Sequence, residues 1–307
     1  PHARQKGGDK VTSSPSHVGV LGGGRMGAGI AHAFLLCGAR VTVVEHDDES
    51  AAMARDRVVD SLEASIKRKA TQESLDDLTS RVRFTTEVSG FAEVGLVIEA
   101  VPESLELKVD ALARAESAVP PEAWLASNTS SISISTLASS LVRPERLIGL
   151  HFFNPVPPSK LVEIVVGQHT EPELVTTSQE WVRALGKTPI TVKDVPGFAS
   201  SRLGLTLGLE AIRMLEDGVA TTEDIDAAMM LGYGHPMGPL KLTDVVGLDV
   251  RLGIAEYLHP MLGDRFDPPK LLRDMVERGV LGRNSGKGSS ELPQADKGPP
   301  LTPPFPD

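Results

Sequence analysis

Short apolar runs alternate with helix-spaced patterns through the first two thirds of the chain. Residues 16–21 (SHVGVL) are a compact apolar run. Residues 22–38 carry Met26, Ile30, Phe34 and Leu35 at helical spacing, and residues 41–45 (VTVVE) are a β-branched run ending in an acid. Strand, glycine-rich turn, helix and strand make one βαβ unit. Further apolar runs lie near Val82 and at residues 96–101, 124–128, 147–152, 161–166 and 189–192, with helix-like stretches such as 48–69 and 105–118 between many of them. This alternation predicts an α/β domain, a mostly parallel Rossmann-type sheet with helices on both faces.

The period changes after Asp194-Val195-Pro196-Gly197, beyond which only helical spacing remains. Residues 198–218 place Leu203, Leu207, Ala211 and Leu215 on one face. Thr221 followed by Thr222, Glu223 and Asp224 reads as a capped helix start with acids in its first turn. Residues 242–258 and 268–278 read as two more helices, and 232–238 as a turn cluster. The predicted organisation is a flexible leader at 1–15, the sheet domain at 16–194, a smaller all-α domain at 195–285, and a proline-rich tail at 286–307 expected to be disordered.

Composition removes several function classes. A single cysteine, Cys37, allows no internal disulfide and no cysteine-based metal cluster, and the eight histidines show no ligand spacing, so no metal is expected. No apolar run is long enough for a membrane helix, and the first residues lack the apolar segment of a secretory signal. A net charge of −10 with 4 % aromatic residues is a poor footprint for nucleic acid. A soluble, cytoplasmic protein is the expectation.

Gly22-x-Gly24-x-x-Gly27 follows a strand and opens a helix. Gly22 suits the tight turn, Gly24 lets backbone approach a pyrophosphate, and Gly27 lets the helix pack against the strand. The helix N-terminus then faces phosphates with free N–H groups. Glu45 closes the second strand, where an acid takes the ribose hydroxyls and repels a 2′-phosphate, favouring NAD over NADP. The alternative is a structural glycine turn in an unrelated α/β protein.

His151 ends an apolar run in LIGLHFFNPVP, and Glu163 lies inside LVEIVV. A carboxylate in an apolar strand requires a partner. Pro155, Pro157 and Pro158 break the chain between the two, so the segments can fold back and let Glu163 bond one imidazole nitrogen while the other moves a proton. The alternative is a satisfied core histidine and an edge-strand surface acid. Residues 127–131 (SNTSS) follow a strand, where ligands bind in open α/β sheets; read alone, they suit a polar turn or a helix cap better than a ligand site.

With these motifs in view, the sequence resembles the L-3-hydroxyacyl-CoA dehydrogenase family over residues 18–286. The resemblance is carried by GGGRMGAGIA, ASNTSSISI, GLHFFNPVPPSKLVEIV, DVPGFASSRL and the long EAIRMLEDGVATTEDIDAAMMLGYGHPMGPLKLTDVVGLD. It implies an NAD-binding first domain and a helical second domain that completes the acyl-CoA cleft and mediates dimerisation. By the same resemblance, Gly22, Gly24, Arg25, Met26, Gly27 and Glu45, together with Glu103 and Lys108, would contact NAD. His151 would be the general base, Glu163 would orient it, and Ser130 would bond the reacting oxygen. Ser61 and the basic run Lys67, Arg68, Lys69 would meet CoA, although such a run also suits a solvated helix face.

Two positions depart from the family pattern. Ser201 stands where a substrate-contacting Asn is usual, and Asn284 where a cofactor-contacting Lys is usual, followed by an ending that lacks the family's aromatic pair. A dehydrogenase of a free hydroxy acid without CoA, and a non-catalytic NAD-binding relative, are the other readings compatible with these residues.

Overall fold

The structure is a computed structural model that describes residues 15–283 and 285–288. The expectations for the leader before residue 15, for Asn284 and for the tail from 289 fall outside the described residues. Contacts between residues divide the chain into two compact units, which meet in sequence between Val195 and Pro196.

The first unit runs β1 (His17–Leu21), α1 (Arg25–Leu36), β2 (Arg40–Val44), α2 (Asp48–Lys67), α3 (Leu75–Ser80), β3 (Val82–Thr85), β4 (Leu96–Glu99), α4 (Leu105–Ala118), β5 (Trp124–Ser127), α5 (Ile134–Ala138), β6 (Leu147–Phe152), β7 (Leu161–Val166), α6 (Pro172–Ala184) and β8 (Thr188–Lys193). The strands form one sheet in the order β3-β2-β1-β4-β5-β6-β7-β8. Every pairing is parallel except β6 with β7. The expected Rossmann-type, mostly parallel sheet is present, and β7 and β8 extend it in the opposite sense. The connection after β6 explains the reversal. Residues 153–160 are too few and too proline-rich for the helical crossover that a parallel pair needs.

Central strands β1, β4 and β6 are apolar and buried nearly throughout, as expected where both faces are covered. The outer strands β3 and β8 are half-exposed, and β8 carries Pro189, which an edge strand tolerates. The core joins Val18, Val20, Ile30, Phe34, Val41, Leu62, Ile98 and Ile164 between the sheet and its helices. Helix α2 ends at Lys67 rather than at Lys69, which itself takes a left-handed φ of 59°.

The second unit contains α7 (Ser200–Glu216), α8 (Thr222–Gly232), α9 (Pro239–Val246), α10 (Leu248–Leu262) and α11 (Lys270–Glu277). Two expectations are corrected here. The helix expected at 242–258 is two helices, because Gly247 takes φ +107°, a conformation that favours glycine and stops the first helix. The buried stripe of α7 is Leu205, Leu209, Ile212 and Leu215, with Leu203 71 % exposed and Leu207 only half-buried. Spacing allows both stripes, and packing against Leu240, Leu258 and Leu272 selects the former. Thr221 caps α8 by accepting from Asp224 N, as expected.

Candidate active site

The glycine turn is built at the C-terminal end of β1. Helix α1 starts after Gly24 with no side-chain cap and no acid in its first turn, and its first backbone bond runs from Ala28 N to Gly24 O at 2.8 Å. The preceding N–H groups are therefore left for an anion. A Cβ on Gly27 would stand 1.8 Å from Gly22 O, so the close approach of helix to turn depends on that glycine. A Cβ on Gly24 would meet nothing within 4 Å, leaving clear space in front of the helix terminus. Gly22 itself sits at φ +93°. Glu45 turns back onto this loop, accepting from Gly23 N with Oε1, while Oε2 lies 3.4 Å from His46 Nδ1. Arg25 is exposed and Met26 half-buried at the first turn. Open backbone, a bare helix terminus and a nearby acid fit a dinucleotide.

A buried ionic cluster lies beyond β4. Glu99, fully buried, accepts from Lys108 Nζ at 2.8 Å, from Val101 N at 2.7 Å and from Ser127 Oγ at 2.5 Å. Lys108 also reaches Glu103 Oε2 at 3.3 Å and donates to Val101 O at 3.1 Å. Burial pushes the Glu99 carboxyl up, with Lys108 and Ser127 opposing it. Glu103 is different. Burial would raise it, but Lys108 with Thr129, Ser131 and Ser130 outweighs that and holds it below the ordinary range. Its Oε1 gathers the SNTSS loop, accepting from Thr129 Oγ1 at 2.5 Å, Ser130 N at 3.0 Å, Ser131 N at 3.1 Å and Ser131 Oγ at 2.9 Å. Three of the expected residues, Glu103, Lys108 and Ser130, are thus one hydrogen-bonded assembly.

His151 and Glu163 are register partners across the single antiparallel pairing. Directly opposed residues present side chains to the same face. Glu163 Oε2 lies 2.8 Å from His151 Nδ1. Glu163 is fully buried and His151 is 7 % exposed. Because β8 flanks β7, Glu163 is not an edge-strand surface acid. The imidazole also packs on the Phe153 ring, with centroids 4.4 Å apart.

Several residues support the site in ways that local sequence does not specify. Asn128 Oδ1 accepts from Phe152 N at 2.9 Å, tying the serine loop to the strand that carries His151. The buried Lys187 donates to Val156 O at 2.7 Å and to Ser159 O at 2.5 Å, pinning the proline loop after β6. Val156 packs against Gly29 of α1, where a Cβ would come within 2.8 Å of it. Asp194 accepts from Ser133 Oγ, Ile134 N and Ser135 N, capping α5. Only Glu99 carried a sequence signal of its own, as an acid closing an apolar strand.

The remaining expected residues lie elsewhere on the two units. Ser61 is half-buried on α2, and Lys67, Arg68 and Lys69 are exposed at its C-terminal end. Ser201 lies in the first turn of α7 in the second unit. Among the described residues no group of three or more His, Cys, Asp or Glu could hold a metal ion.

Two family models match the chain: the 3-hydroxyacyl-CoA dehydrogenase NAD binding domain over residues 17–195 and the C-terminal domain of the same enzymes over 197–291. The chain belongs to the 3-hydroxyacyl-CoA dehydrogenase family. A probable 3-hydroxybutyryl-CoA dehydrogenase of Deinococcus radiodurans is 43 % identical over 275 residues, covering 88 % of this chain and 98 % of that protein. The 3-hydroxybutyryl-CoA dehydrogenase of Mycobacterium tuberculosis is 42 % identical over 282 residues, covering 91 % and 99 %. A crystal structure of (S)-3-hydroxybutyryl-CoA dehydrogenase from Ralstonia eutropha superposes with a TM-score of 0.86 at 39 % identity, covering 90 % of this chain and 98 % of that one. The enzyme is an NAD-dependent oxidoreductase acting on a CH–OH group.

Proposed function

We propose that the enzyme oxidises (S)-3-hydroxyacyl-CoA to 3-oxoacyl-CoA, reversibly, with His151 as general base. The observation that carries this reading is the buried His151–Glu163 pair, in register across β6 and β7 and 2.8 Å apart. Bound NAD supplies the hydride acceptor. His151 takes the 3-hydroxyl proton on Nε2, and Glu163 holds Nδ1–H and balances the imidazolium. Ser130 donates to the reacting oxygen, its loop held by Glu103. Gly22, Gly24, Arg25, Met26 and Gly27 hold the pyrophosphate, Glu45 the adenosine ribose, and Glu103 and Lys108 line the cofactor site. Ser61, Lys67, Arg68 and Lys69 meet CoA, and Ser201 meets the substrate from the helical unit.

The sequence division at residue 194 then separates an NAD-binding domain from one that completes the acyl-CoA cleft. The helical unit exposes Leu231, Tyr233 and Val219, which supports a homodimer formed through it. Among the described residues no helix is long and apolar enough to cross a membrane, and we place the enzyme in the cytoplasm, in fatty-acid β-oxidation or related acyl-CoA metabolism. The test is NADH oxidation with acetoacetyl-CoA and with free acetoacetate side by side. Turnover of the thioester alone supports the reading. Equal turnover of the free acid, or none of either, overturns it.

A further inference from the structure

Sheet register gathers polar side chains at the end of the first unit opposite the glycine turn. His17 is the register partner of Arg40, and Thr42 of Arg83. Side chains alternate along a strand, so His17, Arg40, Thr42 and Arg83 share one face of β1, β2 and β3. Val18, Val20, Val41 and Val43 take the other face and enter the core. The 3-10 turn Val88–Phe91 covers part of the polar face. A Cβ on Gly90 would stand 3.2 Å from Thr42 Cγ2 and 3.1 Å from Thr85 Cγ2, so the turn closes tightly there. Beside it lies a cavity of about 430 Å³, lined by these four side chains with Arg81 and Glu93. His17 opens β1 and Leu21 ends it, so roughly 13 Å of strand separates the cavity from the dinucleotide turn.

The charge around this cavity is only partly matched. Arg81 is already paired: its Nη1 and Nη2 donate to Glu73, and Nη2 also donates to Leu35 O at 2.9 Å. His17 Nε2 lies 2.9 Å from Thr42 Oγ1. Burial first, then Arg40, lowers the His17 pKa, with the Glu93 carboxylate and backbone opposing, which leaves the ring neutral at pH 7. Among the described residues the guanidinium groups of Arg40 and Arg83 make no hydrogen bond or ion pair. Both side chains are exposed, and their Cα atoms stand diagonally across two strands, roughly 8 Å apart. Glu93 is the one acid among the lining residues. Two unpaired guanidinium groups converging on one cavity reverse the local field of a chain whose net charge is −10.

We propose that this cavity is a second anion site, which binds a phosphate group between Arg40 and Arg83. A carboxylate fills one guanidinium fork, whereas the terminal oxygens of a phosphate can accept from two at once. The cavity falls in the size range of small-ligand pockets, so it has room for a small organic group attached to that phosphate. Thr42 and the neutral His17 form its floor, and neither adds a charge that would compete with the two arginines.

Calorimetry on the full chain tests the proposal, with NAD at saturation so that the pyrophosphate site is filled. Inorganic phosphate and glycerol 3-phosphate are titrated separately, at ionic strength held constant with sodium chloride. The wild type should bind with a Kd of about 1 mM or below. Tighter binding of glycerol 3-phosphate would mark a phosphate monoester as the ligand, and equal binding the phosphate ion itself; either outcome supports the site. Arg40→Gln and Arg83→Gln should each weaken binding ~10-fold, the loss of one charge-assisted hydrogen bond, and leave NAD affinity unchanged. Glu93→Gln should tighten binding ~2–3-fold by removing the acid at the rim. Lys67→Gln, at the end of α2, should have no effect. If a Gln variant does not fold, Arg40→Lys and Arg83→Lys replace it, with a loss of about 3-fold from the missing fork. No binding by the wild type below ~10 mM overturns the proposal, as does binding that survives the double Arg40→Gln, Arg83→Gln variant. Loss of phosphate binding in Lys67→Gln, or a matching loss of NAD affinity in the arginine variants, would place the anion elsewhere and also overturns it.

Discussion

Glu163 Oε2 stands 2.8 Å from His151 Nδ1, and the two residues are direct partners across the only antiparallel pairing in the described sheet. The backbone register sets the pair, so substitutions should change chemistry more than architecture. His151→Gln should lower kcat by ~10²–10⁴, the usual span of general acid–base catalysis. Glu163→Gln should lower it by roughly 10–150-fold, the worth of one hydrogen bond to a charged group. Steady-state kinetics with acetoacetyl-CoA, with NAD affinity followed by fluorescence, checks both. Full activity of His151→Gln would remove His151 from the mechanism.

Gly24 and Gly27 separate binding from folding. A methyl on Gly27 would collide with the backbone of Gly22, and backbone cannot yield cheaply. Gly27→Ala should therefore destabilise by about 1–3 kcal/mol, visible as a lower Tm. A methyl on Gly24 meets no protein atom within 4 Å. Gly24→Ala should leave Tm within a few degrees of wild type and raise the NAD Kd by ~10-fold or more, because the added carbon stands where backbone meets pyrophosphate. Equal NAD affinity in Gly24→Ala would place the cofactor elsewhere.

Lys108 neutralises Glu99, which is fully buried. Lys108→Met should cost about 3–5 kcal/mol, the penalty for stranding one member of a buried pair. The loss should deepen as pH rises. Burial raises the Glu99 pKa, and without the ammonium it rises further, so the native state binds the extra proton and stability falls with increasing pH. Urea unfolding of Lys108→Met at pH 5 and pH 8 should show the smaller deficit at pH 5.

His32 of α1 is buried, with Nε2 2.8 Å from Ser65 Oγ. Burial first, then Arg68 and Lys187, lowers its pKa to about 4. The unfolded chain takes up this proton near pH 6.5 and the native state only near 4, so stability should decline as pH falls through that window. The linked loss is about 3 kcal/mol at full development. His32→Gln should flatten the Tm profile between pH 6.5 and 4.5. An unchanged slope would assign the acid sensitivity to other groups.

Local pattern was enough to predict the alternation of strands and helices, the glycine turn with its acid at Glu45, and the passage to a helical unit after the Asp194 segment. Each depends on residues close in the chain: period two or 3.6, a glycine at a tight turn, a proline that stops a strand. Tertiary structure alone decided the contacts of long separation. These are the placement of β7 inside the sheet, which buries Glu163 and brings it to His151, and the gathering of Ser130 by Glu103 across 27 residues. It also selected Leu205 and Leu209 over Leu203 as the inner stripe of α7, where two stripes were equally periodic. Periodicity states which faces a segment can bury, whereas packing against distant elements determines which face it does bury and which polar groups meet there.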